Sequence, residues 1–117
     1  FLGDINLLPL TDTVRDGPML RGQFGGRALR AEGREDGRTL AVRPEYMTLT
    51  LTPPDRGNAI PATVSDLTYL GAQTRIELRG PDDTALTLTH MTDQLPEGLA
   101  PGSDIWATWP DHKGFLL

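Results

Sequence analysis

The chain has 117 residues, of which 38% are hydrophobic, and carries a net charge of −5 from 16 acidic and 11 basic residues, with no cysteine. Such a length suits one domain with a modest core, and no apolar run approaches the roughly 20 residues that a membrane-spanning helix needs. The lack of cysteine excludes disulfides, thiolate metal sites and thiol catalysis. The acidic balance argues against holding nucleic acid through phosphate contacts.

The first third of the chain consists of short apolar runs that end at turn signals. Three strands are predicted here: a stretch reaching about Val14, and the segments 19–24 and 27–31. The charged, glycine-interrupted segment 32–38 is typical of a solvated hairpin loop, because short runs of mixed charge are normally exposed.

The segment 39–51 predicts two strands joined at a corner. Its apolar residues occupy even positions before Pro44 and odd positions after it, where we expect Met47, Leu49 and Leu51 to face the core. One strand cannot keep both sets on one face, because side chains change faces at every residue. Pro44 explains the break, since it has no N–H for a strand ladder.

The second half of the chain begins with the best linker candidate, residues 53–58, which divides the chain into two possible lobes, 1–53 and 59–117. The strand that follows changes phase between Val64 and Leu67, as a β-bulge would cause. Four more strands are predicted at 74–79, 85–91, 104–109 and 114–117. No segment has a sustained helical period. The sequence therefore predicts a mostly β fold of about eight to ten short strands, as in small barrels or sandwiches.

Recognisable catalytic and cofactor motifs are missing from this sequence. It contains neither the phosphate-binding G-x-x-x-x-G-K-[ST] loop nor the dinucleotide pattern G-x-G-x-x-G, and its serines lack a nucleophile-elbow context. Asp111–His112 and the pair Asp82–Asp83 lack the spacing of metal ligands. We therefore predict no catalytic, cofactor or metal site in the chain.

Aromatic and charged residues leave two alternatives open. Trp106 and Trp109 would point to opposite faces of a strand, so we expect one in the core and one at the surface, with a stacking platform as the less favoured alternative.

Arg43 and Glu45 flank Pro44. They either tie the corner to its neighbours, which we favour, or form a contact point for a ligand or a neighbouring domain.

Four stretches in order resemble one family. They are Phe1–Leu8, Leu40–Glu45, Ala62–Gly71 with Thr74–Arg75 following, and Leu99–Gly102 with Ile105, Trp106 and Trp109. This pattern is similar to the C-terminal TOBE (transport-associated OB) domain of ATP-binding subunits of ABC importers, of the polyamine, iron(III) and sugar transporter type. The resemblance covers essentially the whole chain.

The resemblance implies an all-β, OB-like fold of one or two small barrels, with two interleaved lobes as one form of it. It implies a single regulatory domain, 1–117, without enzymatic activity of its own. An ATPase domain that binds ATP and Mg²⁺ would precede Phe1, and the absence of an initiator methionine agrees with that expectation. Four positions match the family pattern and are candidate contact positions: Asn6, Arg43, Glu45 and Gly71.

The resemblance also implies partners. They are the subunit's own ATPase domain, a second copy of the subunit in a homodimer, and membrane permease subunits reached through the ATPase. The domain would lie in the cytoplasm at the inner face of the membrane, with a small-molecule effector allowed and no nucleic acid. The alternative is a free-standing OB-type module that binds oligosaccharide or single-stranded nucleic acid.

Overall fold

The computed structural model describes residues 4–33 and 37–117, which form eleven β-strands linked by turns and four short 3-10 helices. No α-helix occurs among these residues, and the all-β class is confirmed. The strands are β1 (Asn6–Pro9), β2 (Thr11–Asp16), β3 (Met19–Phe24), β4 (Arg27–Glu32), β5 (Thr39–Val42), β6 (Thr48–Thr50), β7 (Asn58–Leu70), β8 (Gln73–Arg79), β9 (Ala85–Met91), β10 (Asp104–Trp109) and β11 (Gly114–Leu116).

The number of strands exceeds the predicted eight to ten partly because the first predicted strand is two strands, β1 and β2, separated by Leu10. Parts of two predicted features lie outside the described residues. They are the start of the first family stretch, residues 1–3, and the middle of the predicted charged loop, residues 34–36.

A three-stranded antiparallel sheet joins the two ends of the described chain, with β5 between β1 and β11. Leu40 of β5 lies opposite Leu8 on one side and Leu116 on the other. All three leucines are buried. Because this row crosses every strand of the sheet, the last strand completes the apolar face that the first strand begins.

The larger sheet has five antiparallel strands in the order β6–β10–β7–β8–β9. Its longest strand, β7, shifts register between Val64 and Asp66, which confirms the predicted change of phase. A bulge of this kind bends the strand and increases its twist. The edge strands β6 and β9 contact each other, although no ladder between them is formed by the described residues. The sheet is therefore curled in an OB-like manner.

The third sheet, in the order β2–β3–β4, packs one face against the rest of the molecule. The buried side chains of β3 and β4 are Leu20, Phe24, Leu29 and Ala31. They belong to one core cluster with side chains from both other sheets. The three sheets thus share one hydrophobic core.

The predicted core face after the corner is correct at two of its three positions. Met47 and Leu49 are buried, whereas Leu51 is 60% exposed, so the prediction for Leu51 is wrong. The reason is that β6 ends at Thr50, whose hydroxyl donates to the carbonyl of Thr52 at 2.9 Å and stabilises a bend. Side chains beyond this bend no longer follow the alternation of the strand.

Two buried asparagines join the sheets. The Oδ1 of Asn6 accepts from the N–H of Thr87 and its Nδ2 donates to the carbonyl of Thr87, both at 2.7 Å. Asn58 makes the same pair of bonds with the backbone of Arg30, both at 2.8 Å. Thr87 lies in β9 and Arg30 in β4, which are edge strands. Each side-chain amide therefore takes the place of a neighbouring strand.

Strands from both sides of residues 53–58 share sheets. The strand β6 precedes this segment and pairs with β10, while β11 follows it and pairs with β5. The lobes 1–53 and 59–117 stay a prediction, and the sheets that they would contribute to are interleaved.

Candidate functional site beside the corner

The predicted corner is one turn of 3-10 helix, Pro44–Tyr46, between β5 and β6. Pro44 occupies the start of the turn, where its missing N–H costs nothing, and it is buried. The N–H of Tyr46 donates to the carbonyl of Arg43 at 3.0 Å, and that of Met47 donates to Pro44 at 3.2 Å. These bonds complete the turn and direct β6 away from β5.

The four positions that match the family pattern lie in three places. Arg43 is half-buried at the start of the corner, and Glu45 is exposed on it. Asn6 is buried beneath, where its Nδ2 also lies 3.2 Å from the Sδ of Met47. Gly71 lies in the β7–β8 turn with φ +84°, a conformation that glycine adopts without strain. The structure thus brings three of the four near the corner, and Gly71 lies elsewhere.

An open pocket of about 440 Å³ lies between the corner, the segment 54–58, and the end of β10 with the residues that follow it. This volume is within the range of small-molecule sites. Its charged and aromatic walls, called here the corner pocket, are Glu45, Tyr46, Arg56, Trp109 and Lys113, and prolines and threonines supply much of the remainder.

The corner pocket contains charged groups that are not neutralised by neighbours. The Nζ of Lys113 lies 4.6 Å from the centroid of the Tyr46 ring, which is a cation–π contact. Among residues 4–33 and 37–117, no ion pair includes Lys113, Arg56 or Glu45. Two positive charges and one negative charge thus border the pocket, a locally positive balance in a chain of net charge −5.

Trp109, one of the residues that line the pocket, carries a buried hydrogen-bond donor. Trp109 is 3% exposed, and its Nε1 has no acceptor in the part of the chain that the structure describes. Leaving a buried N–H unsatisfied costs free energy. Trp106 is half-buried, with the Arg27 guanidinium 4.6 Å from its ring centroid. Trp109 is therefore in the core, as predicted for one of the two tryptophans, whereas Trp106 is half-buried and not fully at the surface.

A separate polar network lies on β8 and β9 and attaches the segment before β1 to the larger sheet. The guanidinium of Arg75 donates to Asp4 and, at 2.8 Å, to Glu77, which also accepts from the hydroxyl of Thr87 at 3.0 Å. The bond to Asp4, followed by that to Glu77, raises the pKa of Arg75 above its ordinary value. Arg75 therefore stays charged, and the network serves attachment.

In the described residues, no three side chains of histidine, aspartate or glutamate are grouped to hold a metal ion, and no helix is long and apolar enough to cross a membrane. Sequence reasoning identified Glu45 as a candidate contact position and singled out Trp109, but it missed Tyr46, Arg56 and Lys113. Two signals could have found them: Tyr46 follows Glu45 directly, and Lys113 is the only lysine in the chain.

Comparisons with known proteins agree with this architecture. The family model of the TOBE domain matches residues 40–117. The chain is 31% identical over 124 residues to the spermidine/putrescine import ATP-binding protein PotA of Thermobifida fusca (strain YX). It is 33% identical over 122 residues to the PotA of Ruegeria pomeroyi (strain ATCC 700808 / DSM 15171 / DSS-3). Each alignment covers 100% of this chain and 32% of the relative.

A solved structure has a similar fold. It is the cytoplasmic molybdate-binding protein ModG with molybdate bound, which superposes with a TM-score of 0.70 over 97% of this chain and 94% of that chain, at 15% sequence identity. At this identity the likeness concerns the fold alone.

The fold defines an all-β, OB-like domain. The chain belongs to the TOBE domain family, as the resemblance predicts. It spans about a third of the length of the curated relatives that it matches, with 32% of each covered.

Proposed function

We propose that this chain is the accessory, regulatory domain of the ATP-binding subunit of an ABC-type importer that carries polyamines. The observation that supports this most is the identity of 31% and 33% to two spermidine/putrescine import ATP-binding proteins along 100% of the chain. The alignments cover 32% of those proteins, so we assign binding of ATP and Mg²⁺ to a separate ATPase domain of the same subunit.

The proposed partners follow from this assignment. The domain contacts its own ATPase domain and the second copy of the subunit in a homodimer, and it reaches the permease subunits through the ATPase. It works at the cytoplasmic face of the membrane and changes the rate of ATP hydrolysis without taking part in the chemistry. The corner, with half-buried Arg43 and exposed Glu45, is the surface that we assign to such a contact or to an effector.

The proposal predicts that the 117-residue chain hydrolyses no ATP. A purified preparation is compared with the complete subunit in a phosphate-release assay with MgATP, and hydrolysis is expected only from the complete subunit. Turnover that co-purifies with the chain in size-exclusion fractions would contradict the assignment. A subunit variant lacking the Walker lysine of its ATPase domain is the control, because it shows the background of the assay.

A further inference from the structure

We propose that the corner pocket binds a small anion, and that the recognised chemistry is a carboxylate or phosphate group. This inference concerns a ligand that none of the comparisons assigns to these residues. It rests on the pocket itself and does not require the importer role. Its basis is the combination of two basic side chains that form no ion pair among the described residues, one carboxylate, and a volume of about 440 Å³.

The charge balance of the pocket favours an anion over a cation. Arg56 and Lys113 both border it, against the single carboxylate of Glu45. None of the three is neutralised by an ion pair within the described ranges. In a chain of net charge −5, such a concave positive site concentrates anions locally. A polyamine would instead meet two like charges for every opposite one.

The position of the Lys113 ammonium also favours an anion. Tyr46 holds the Lys113 ammonium at 4.6 Å from its ring, which keeps this charge at the pocket wall. An anionic oxygen group would receive charge-assisted hydrogen bonds from the basic side chains, which are stronger than neutral ones.

Comparison with a second pocket explains why we assign anion binding to the corner pocket. The groove beside Trp106 has a volume of about 500 Å³, but its charged groups already have partners. Arg79 pairs with Asp83 at 3.9 Å, and Asp104 accepts from the hydroxyl of Thr63 at 3.0 Å. A ligand there would have to displace bonds, whereas the charges of the corner pocket form no ion pair within the described part of the chain.

The test is isothermal titration calorimetry of the complete 117-residue chain at low salt with inorganic phosphate, glutarate and spermidine as separate probes. The two anions represent the two sources of the recognised chemistry, and saturable binding of at least one of them is expected. Lys113→Gln should weaken it about tenfold, because one charge-assisted bond is lost. As Lys113 is exposed, this variant should fold normally.

A matched control is Arg21→Gln, which also removes one exposed positive charge but lies on β3, outside the corner pocket. It should change the affinity less than about twofold. As a second readout, a Trp106→Phe background leaves Trp109 as the only tryptophan, and its fluorescence should change with the anion.

Three results would overturn the proposal. The first is absence of saturable binding by both anions, the second is equal loss of affinity in Lys113→Gln and Arg21→Gln, and the third is tighter binding of spermidine than of either anion. None of these results bears on the ATPase assay, so the importer role would stand or fall separately.

Discussion

At the scale of single residues, asparagine can replace a peptide group, because its side chain carries one carbonyl and one NH₂ in the same planar geometry. Asn6 and Asn58 use both groups on one residue of an edge strand. These bonds satisfy backbone groups at two sheet edges that are otherwise left open. Neither ionised aspartate nor alanine can satisfy both a donor and an acceptor there.

The first prediction is that Asn6→Asp lowers the free energy of unfolding by about 2–4 kcal/mol, measured by urea denaturation. The carboxylate introduced at position 6 cannot donate a hydrogen bond to the carbonyl of Thr87, as the amide of Asn6 does. Because residue 6 and Thr87 are 81 positions apart in sequence, the lost bond is one that holds two sheets together. A buried carboxyl group is more easily accommodated when protonated, which raises its folded-state pKa. The deficit should therefore shrink as the pH is lowered and grow as it rises.

The control for this prediction is Gln94→Glu, the same chemical change at an exposed position. It should alter the free energy of unfolding by less than about 0.5 kcal/mol. Equal effects of the two substitutions would show that Asn6 is not a joint between the sheets.

The structural role of a single residue can be predicted from the sequence when the residues that determine that role are close to it in the chain. The corner was predictable, because Pro44 and the phase of its neighbours lie within a few positions. The role of Asn6 was not, because it needs Thr87, which the fold brings close from 81 positions away. Leu51 was predicted wrongly for a related reason: alternation indicates which face a strand buries but not the residue at which the strand ends.

At the scale of elements, turn residues determine where strands pack. Gly25 and Gly26 form the β3–β4 turn, both with positive φ, at +59° and +79°. A Cβ on Gly25 would lie 2.2 Å from the Cβ of Pro81, whereas a Cβ on Gly26 would have nothing within 4 Å. The turn therefore needs two glycines for its backbone, and one of them also for contact with the larger sheet.

The second prediction compares these two glycines. Gly26→Ala should cost about 1 kcal/mol through backbone strain alone. Gly25→Ala should cost about 1–3 kcal/mol more, because the turn must move away from Pro81. Thermal and urea unfolding of both variants gives the difference directly. Equal costs would mean that the third sheet does not rest on Pro81.

The β-strands were predictable where alternating apolar and polar residues, bounded by turn residues, defined them. The bulge in β7 was visible as a phase change between Val64 and Leu67, since both phases lie within one strand. Pairing was not predictable from these patterns. The strands β6 and β10 are separated by more than fifty residues, as are β5 and β11, and nothing in their local alternation specifies which neighbour each takes.

At the scale of the whole molecule, the corner pocket also could not be predicted from local sequence patterns. Its walls come from three segments: residues 45–48, the segment 54–58, and residues 108–113. Each has some recognisable pattern in the sequence, but none of these patterns indicates that the three segments meet. The fold brings them together because β6 and β7 both pair with β10, so that the ends of these strands meet beside the corner.

The central claim is that this domain adjusts the rate of an ATPase without contributing to its chemistry. It is tested most directly by the ATPase rate of the complete subunit, assembled with its permease in proteoliposomes, with and without residues 1–117. The rate is measured as the transported substrate is raised on the side of the membrane that faces the subunit. Removal of the domain is predicted to preserve hydrolysis and abolish its response to that substrate. An unchanged response, or loss of hydrolysis in a subunit that still binds ATP, would contradict the claim.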